Sequence, residues 1–459
     1  MTPEALDSLD KKALKALVLA LLEQVRLLRE ENAALRARLA ELEARAGKPV
    51  KTPDNSSLPP SRGWKSNRSD KAEAVKKPRR GRPGVARALC PTPDHVRELH
   101  AERCQRCDHV LTPADQPRAH AYDHIDLPPI RPITTRIVLR SGACPGCGAR
   151  VCATPPADMP VGSPFGPGIV ALMVYLHGRQ MVSYNRLVEM AKGLFGLAIS
   201  EGAIAAMLAR AAPPFATVAR DIDARLLQSP VIACDETSAR VGGVTFWQWV
   251  FASPTAVAHR IAATRGAAVV AEFLAGARPK VWVSDRYGAQ MGHGEHHQVC
   301  LAHLLRDARY AIEAGDKIFA PGFKFLLMRA CAIGRRREAL AAATLVAHER
   351  ALDGRLTRLL ALEPTSPAGK KLRRGIEKCR DKLFVFVTRR DVPPTNNVSE
   401  RALRPSVIFR KVTNGFRSTW GATVYADICS IVATGLLEGR TALQAIREAL
   451  ATRPALEPG

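Results

Sequence analysis

Two aspartates closing apolar runs, and one glutamate far downstream, carry the sharpest chemical signal in this chain. The stretch "SPVIACDETSARVGG" ends a short apolar run on Asp235 and Glu236, and "PKVWVSDRYGAQ" ends another on Asp285. Glu400 follows in "PPTNNVSERALRP", more than a hundred residues after Asp285. Magnesium takes oxygen ligands, usually one or two carboxylates with water and phosphate. Two such ions, magnesium or manganese, can activate an attacking oxygen and stabilise the leaving oxygen of a phosphodiester. A single Asp at a strand end is also an ordinary turn former, so the weight rests on the three acids together. Glu400 has a second reading, because "NVSE" has the form of a capping box with Asn397 as N-cap and Glu400 at N3. The pattern favours neither role. Glu236 adjoins Asp235, but successive strand residues face opposite ways, which leaves it outside the trio.

The elements that must position these acids can be read from periodicity. After the run ending at Asp235 come "TFWQWVFAS" and "AVAHRIAAT", both strand-like, then the helix-like "AAVVAEFLAG" and the strand ending at Asp285. Strand, strand, strand, helix, strand is the order that opens a ribonuclease-H-like domain, with acids on the first and fourth strands. The next segment, "EHHQVCLAHLLRDARYAIEAG", runs from a strand-like start into a helix. Phe246, Trp247, Trp249 and Phe251 are read as strand packing rather than base stacking.

Cysteine spacing points to a second metal. "CQRC" (Cys104, Cys107) and "CPGC" (Cys144, Cys147) are knuckles that each present two thiolates, and together they suit a structural Zn²⁺. The interval between them, "AYDHIDLPPIRPITTRIVLRSGA", reads as two strands and a turn, the hairpin of a zinc-ribbon-like module over 101–155. Cys90 and Cys152 are left over, and Cys152 is an alternative ligand.

Upstream, leucines recur every seventh residue at Leu14, Leu21, Leu28, Leu35 and Leu42, with Val18, Val25, Asn32 and Leu39 in the other seam. β-Branched residues at a, Leu at d and one a-site Asn favour a two-stranded coiled coil over 1–47, and hence a homodimer. Residues 48–100 are expected to be a disordered basic linker, rich in Pro, Ser, Lys and Arg with little to bury. Within it "KKPRRGRPG" resembles an AT-hook, whose Arg80 and Arg82 would enter a narrow minor groove; a solvated charge run against phosphates is the equal alternative. The net charge of +25 and pI near 10.1 favour a polyanionic partner, most simply nucleic acid.

No apolar run approaches the roughly 18 residues of a spanning helix, and the acidic start "MTPEALDSLD" lacks a signal-peptide layout. A reducing, cytoplasmic, nucleoid-associated setting without membrane is expected, so the 11 cysteines are not read as disulfides. From Pro164 to about Ala212 the pattern is helical, with Ser200 as an N-cap. Helix, turn, helix over 156–228 resembles a helix-turn-helix, but the second helix offers only Arg210 to a groove, so core packing is preferred.

At this point the motifs "DET", "SDRYGAQ", "CLAHLLRDARY" and "NNVSERALRP…RKVTNGFRS", with "DNSSLPPS" and the paired knuckles upstream, resemble transposases of the insertion-sequence 66 family, bacterial enzymes of the DDE class. The resemblance implies that Asp235, Asp285 and Glu400 form a triad holding Mg²⁺ or Mn²⁺. It also implies a mainly helical insertion, placed here at about 316–394 within a catalytic domain over 229–440. The expected class is α/β: a ribonuclease-H-like domain preceded by the coiled coil, zinc-ribbon-like module and small helical domain. The implied activity is cleavage at element ends and strand transfer into target DNA. The dimer, or a larger assembly on DNA, and accessory proteins of the same element are the implied partners.

Arg401, Arg404, Arg410, Lys411 and Arg417, with the basic stretch "GKKLRRGIEKCRDK", are candidates for the DNA path. The family's Cys-x-x-His is matched by Cys300 and His303, read as a packed Cys with a DNA-facing or hydrogen-bonded His. Two other functions stay open: a ribonuclease-H-fold nuclease or resolvase that cuts without joining, and a noncatalytic DNA-binding regulator.

Overall fold

The computed structural model describes residues 11–46, 49–56, 87–118 and 120–452. Arg80, Arg82 and Gly47 lie outside these residues. The chain divides into one unit of Met1–Trp64, Pro156–Leu187 and Ser200–Gly459, and another of Lys65–Pro155 and Val188–Ile199.

Helix α1 (Lys11–Ala46) leaves its apolar seam open: Val18, Leu21, Val25, Leu28 and Leu35 are exposed. Its Asn32 side chain donates to the Leu28 carbonyl, and Arg26 pairs with Glu23 and Glu30. In the other unit, β1 (Ser141–Ala143) and β2 (Arg150–Cys152) pair antiparallel. The hairpin expected across 121–143 is absent, since residues 121–140 contain no regular element. Pro128, Pro129 and Pro132 remove the donors a ladder there would need.

Helices α2 (Pro167–Val174), α3 (Tyr184–Phe195) and α4 (Glu201–Leu227) follow. Ser200 caps α4 as expected, its hydroxyl accepting from the Ala203 amide at 3.1 Å. The helix does not stop near Ala212 but continues through Pro213 and Pro214. An interior proline costs about 3 kcal/mol, which burial of Pro214, Phe215, Ala219, Ile222 and Leu226 can offset.

The central sheet holds β3 (Val231–Val241), β4 (Val244–Ala252), β5 (Val257–Ala262), β6 (Val281–Ser284) and β7 (His296–Val299), in the order β5-β4-β3-β6-β7. The first three strands are antiparallel, and β6 and β7 run parallel to β3. Gly242 and Gly243, at φ 57° and 81°, make the two-residue β3–β4 turn, a positive-φ pair that suits the strand twist. Helix α5 (Ala268–Leu274) leads into β6, and its Phe273 stacks on Phe251 at 3.7 Å.

After β7 come α6 (Leu301–Glu313), α7 (Phe319–Arg336), α8 (Ala342–Leu360), α9 (Pro367–Glu377) and the short α10 (Val385–Thr388). Val231, Ala233, Val281, Val283 and Val299 on one sheet face pack against this group through Leu301, Leu304, Phe319 and Phe323. Helix α11 (Asn397–Thr413) covers the neighbouring part of that face, with Leu403 against Val250, Ala252 and Val257.

Helix α12 (Thr419–Leu437) closes edge strand β5: Ser430 and Thr434 accept from the His259 and Val257 amides, satisfying backbone groups that an edge leaves open. Helix α13 (Ala442–Ala451) packs on α12. Helices α4 and α12 are both long and apolar enough to cross a membrane by length and composition, which corrects the expectation drawn from apolar runs. They pack on one another, and α12 buries Ile428, Ile431 and Val432.

Asn55, in the "DNSS" stretch, is fully buried although it lies in a loop. Its amide donates to the Val50 carbonyl and to Glu313 at the end of α6, and its oxygen accepts from the Thr52 amide.

Candidate active site

Strand register brings the first two acids together. Ala233 of β3 pairs with Val283 of β6 in parallel, so Asp235 and Asp285, each two residues further on, share a face. Asp285 follows the end of β6, whereas Asp235 lies inside β3, which runs on to Val241 rather than ending there as the apolar run suggests. Ser284 pairs with Val299, which puts Cys300 next in the same row. Asp285 closes its turn locally, its carboxylate accepting from the Tyr287 amide at 2.8 Å. Glu236 faces the other way, with its side chain almost fully buried. There Arg265 and Gln290 donate to its two oxygens, and the Arg265 guanidinium lies 3.9 Å from the Tyr287 ring centre.

Glu400 arrives on the first turn of α11, and the start of that helix is pinned in an unexpected way. The N-cap is Asn396, not Asn397, and no side-chain cap is formed. Glu400 therefore stands one place beyond N3, and its amide bonds the Asn396 carbonyl at 3.1 Å, so the capping-box reading fails. The Asn396 side chain is engaged elsewhere: it donates to the Cys234 carbonyl at 2.7 Å, one residue before Asp235. Its own amide donates to Cys300 Sγ at 3.1 Å. One buried asparagine thus ties the start of α11 to Cys234 within β3 and to Cys300 just after β7, and thereby fixes where Glu400 begins.

The electrostatics are those of an acid cluster short of cations. Burial pushes the Asp235 carboxyl well above the usual carboxylate range, and the charges of Glu236, Asp285 and Glu400 push it further. Burial also raises Glu236, against the opposing bonds from Arg265 and Gln290. Arg306 of α6 approaches Glu400 at 3.6 Å. His303 is lowered by burial and by Arg306, with Asp285 and Glu400 acting in the opposite sense. Carboxylates whose negative charges crowd Asp235 in this way fit a hard divalent ion, which would relieve that repulsion. Among the described residues, the ligand atoms that come within 4.8 Å of one another as a set of three belong to Cys300, His303 and Glu400.

The cysteine knuckles form as local turns. The Cys104 amide bonds the His109 carbonyl and the Asp108 amide returns to Cys104; Cys144, Ala149 and Gly148 repeat this pattern. The Cys104 thiol is lowered by the amides of Arg106 and Cys107, and Cys144 by those of Gly146 and Cys147, the arrangement that favours thiolate. The four sulfurs do not come together within 4.8 Å.

Of the basic candidates, Arg401, Arg404, Lys411 and Arg417 are exposed. Arg410 is half-buried, and its guanidinium donates to the carbonyl and hydroxyl of Ser238 on β3. In the basic stretch, Lys370 and Arg373 pair with Glu363, and Arg380 with Asp353. Arg210 of α4 donates to Ser163. Sequence reasoning missed Asn396, Arg306 and the Arg265–Gln290 clamp. The doubled asparagine of "PPTNN" was the one available sign of the first.

An α/β protein with Asp235 and Asp285 side by side on adjacent parallel strands, and Glu400 on the first turn of a helix bonded to the residue before Asp235, is the class these observations define. The family described as "Transposase IS66 family" matches residues 162–424, a span that holds Asp235, Asp285 and Glu400. The chain belongs to that family, whose members act in DNA transposition, binding and cleaving DNA. A comparison with curated proteins finds no match.

Proposed function

We propose that this chain is a DDE transposase that cleaves element ends and joins them to target DNA. Asp235, Asp285 and Glu400 would hold the divalent cations. The observation carrying this reading is the register that sets Asp235 beside Asp285, together with the Asn396 bonds that start Glu400's helix at Cys234 and Cys300. The strand order, with three antiparallel strands followed by two parallel ones, supports a ribonuclease-H-like domain interrupted by helices between about 316 and 394. Bound Mg²⁺ or Mn²⁺ would supply activation of the attacking oxygen and stabilisation of the leaving one. Asn396 orients Glu400, while Arg404, Lys411 and Arg417 offer exposed charge to the phosphate backbone.

The knuckles at Cys104/Cys107 and Cys144/Cys147 are assigned to one structural Zn²⁺ in a zinc-ribbon-like module, supported by their thiolate-favouring turns. The open seam of α1 is assigned to a coiled-coil homodimer, because an isolated helix gains little from an unburied apolar face. Mg²⁺-dependent assays on DNA carrying the element's ends test the function. The reading predicts a free 3′-hydroxyl at the element end and covalently joined products. Cleavage without joining would instead identify a nuclease or resolvase, and neither product would leave a regulator.

A further inference from the structure

The geometry points to a second, softer metal site that shares Glu400: Zn²⁺ held by Cys300, His303 and Glu400, which would inhibit the reaction by withdrawing that glutamate. The inhibitory role rests on the proposed function; the binding does not. The three ligand atoms lie within 4.8 Å of one another. Tetrahedral zinc with bonds of about 2.0–2.3 Å requires ligand separations of about 3.3–3.8 Å, so small side-chain adjustments close the set. A thiolate, an imidazole and a carboxylate with a fourth position left for water suit zinc, whereas magnesium avoids sulfur.

The surroundings fit as well. The Asn396 amide donates to Cys300 Sγ at 3.1 Å, opposing the burial that raises this thiol, and would remain as a bond to the metal-bound sulfur. His303 Nδ1 is buried without a hydrogen-bond partner, and coordination would give one ring nitrogen a use while fixing the other's tautomer. Arg306 lies 3.6 Å from Glu400 Oε1, so it can hold one carboxylate oxygen while the other binds metal. Cys300 is the N-cap of α6 and His303 lies in its first turn, so the pair comes from one helix start and Glu400 from another.

Full-length protein dialysed against Zn²⁺ should bind one more zinc per chain than Cys300→Ser, His303→Gln or Glu400→Gln. The difference is the readout, and it is unaffected by whatever the Cys104–Cys147 knuckles hold. Circular dichroism and thermal melting confirm that each variant is folded, and His303→Gln serves if Cys300→Ser does not fold. In Mg²⁺ assays, Zn²⁺ should slow cleavage at least tenfold in the wild type. In Cys300→Ser and His303→Gln it should have little effect relative to each variant's own zinc-free rate. Equal zinc counts in wild type and all three variants would overturn the site. A zinc difference without inhibition would overturn the regulatory role alone. Retained cleavage by Glu400→Gln would fault the catalytic reading and leave the zinc count intact.

Discussion

Asp235 stands on a strand bonded on both sides, above valines that are fully buried, whereas the knuckle cysteines sit in exposed turns whose hydrogen bonds close within a few residues. The first arrangement is made by distant pairings: β3 against β6, Asn396 against Cys234, α11 across the sheet. The second has two three-residue strands that bury none of their own residues. A site of the first kind holds its acids in place through packing even while their charges repel. A module of the second kind lacks an apolar core, and a metal is the ordinary substitute for one.

The contrast can be broken at several points. Removing zinc should have the largest effect: structural zinc contributes about 10–16 kcal/mol to small cysteine modules. A chelator should therefore open residues 101–155 to limited proteolysis, while the sheet unit keeps its thermal transition. Next, Asn396→Ala should lower cleavage about 10- to 100-fold, the range for residues that orient metal ligands. Asn397→Ala should stay near wild type, since Asn397 supplies no cap. Steady-state cleavage assays on both variants measure this, and equal losses would remove the special role of Asn396.

The two arginine classes on α11 should separate cleanly. Arg410→Ala should cost about 1–3 kcal/mol of stability, because the Ser238 carbonyl loses a charged donor. Arg404→Ala should leave stability unchanged and reduce the salt dependence of DNA binding by about one phosphate contact. Denaturant melts and binding titrations at several salt concentrations distinguish them.

The smallest effect concerns protons. Asp235 holds its proton in the folded, metal-free chain over a pH range where the unfolded chain has lost it. Folded stability therefore falls as pH rises through that range. Asp235→Asn should melt about 2–4 °C higher than wild type at neutral pH without divalent ions. The gap should vanish in acid and narrow when Mg²⁺ is added.

What could be read in advance follows from how local each feature is. The strand before Asp285 was legible because a buried strand is apolar and its end is not; the run before Asp235 showed where β3 is buried but not that the strand continues to Val241. The helix after β7 was legible from its periodicity. The choice between Asn396 and Asn397 was not, because the helix start depends on the Cys234 carbonyl and Cys300 thiol, residues far away in the chain. Arg410 and Arg404 look alike in sequence, and only the packing of α11 on β3 distinguishes an anchored arginine from an exposed one. That α4 runs past Ala212 through Pro213-Pro214 was not legible, because the burial that offsets the prolines is tertiary.

The central claim is that three acids act as one metal-binding catalytic unit. The most direct test compares strand cleavage and transfer by wild type, Asp235→Asn, Asp285→Asn and Glu400→Gln with Mg²⁺ on DNA bearing the element's ends. The expected result is a loss of about a thousandfold or more in both steps for each variant, with folding and DNA binding retained. Normal strand transfer by any folded, DNA-binding variant of the three would contradict it.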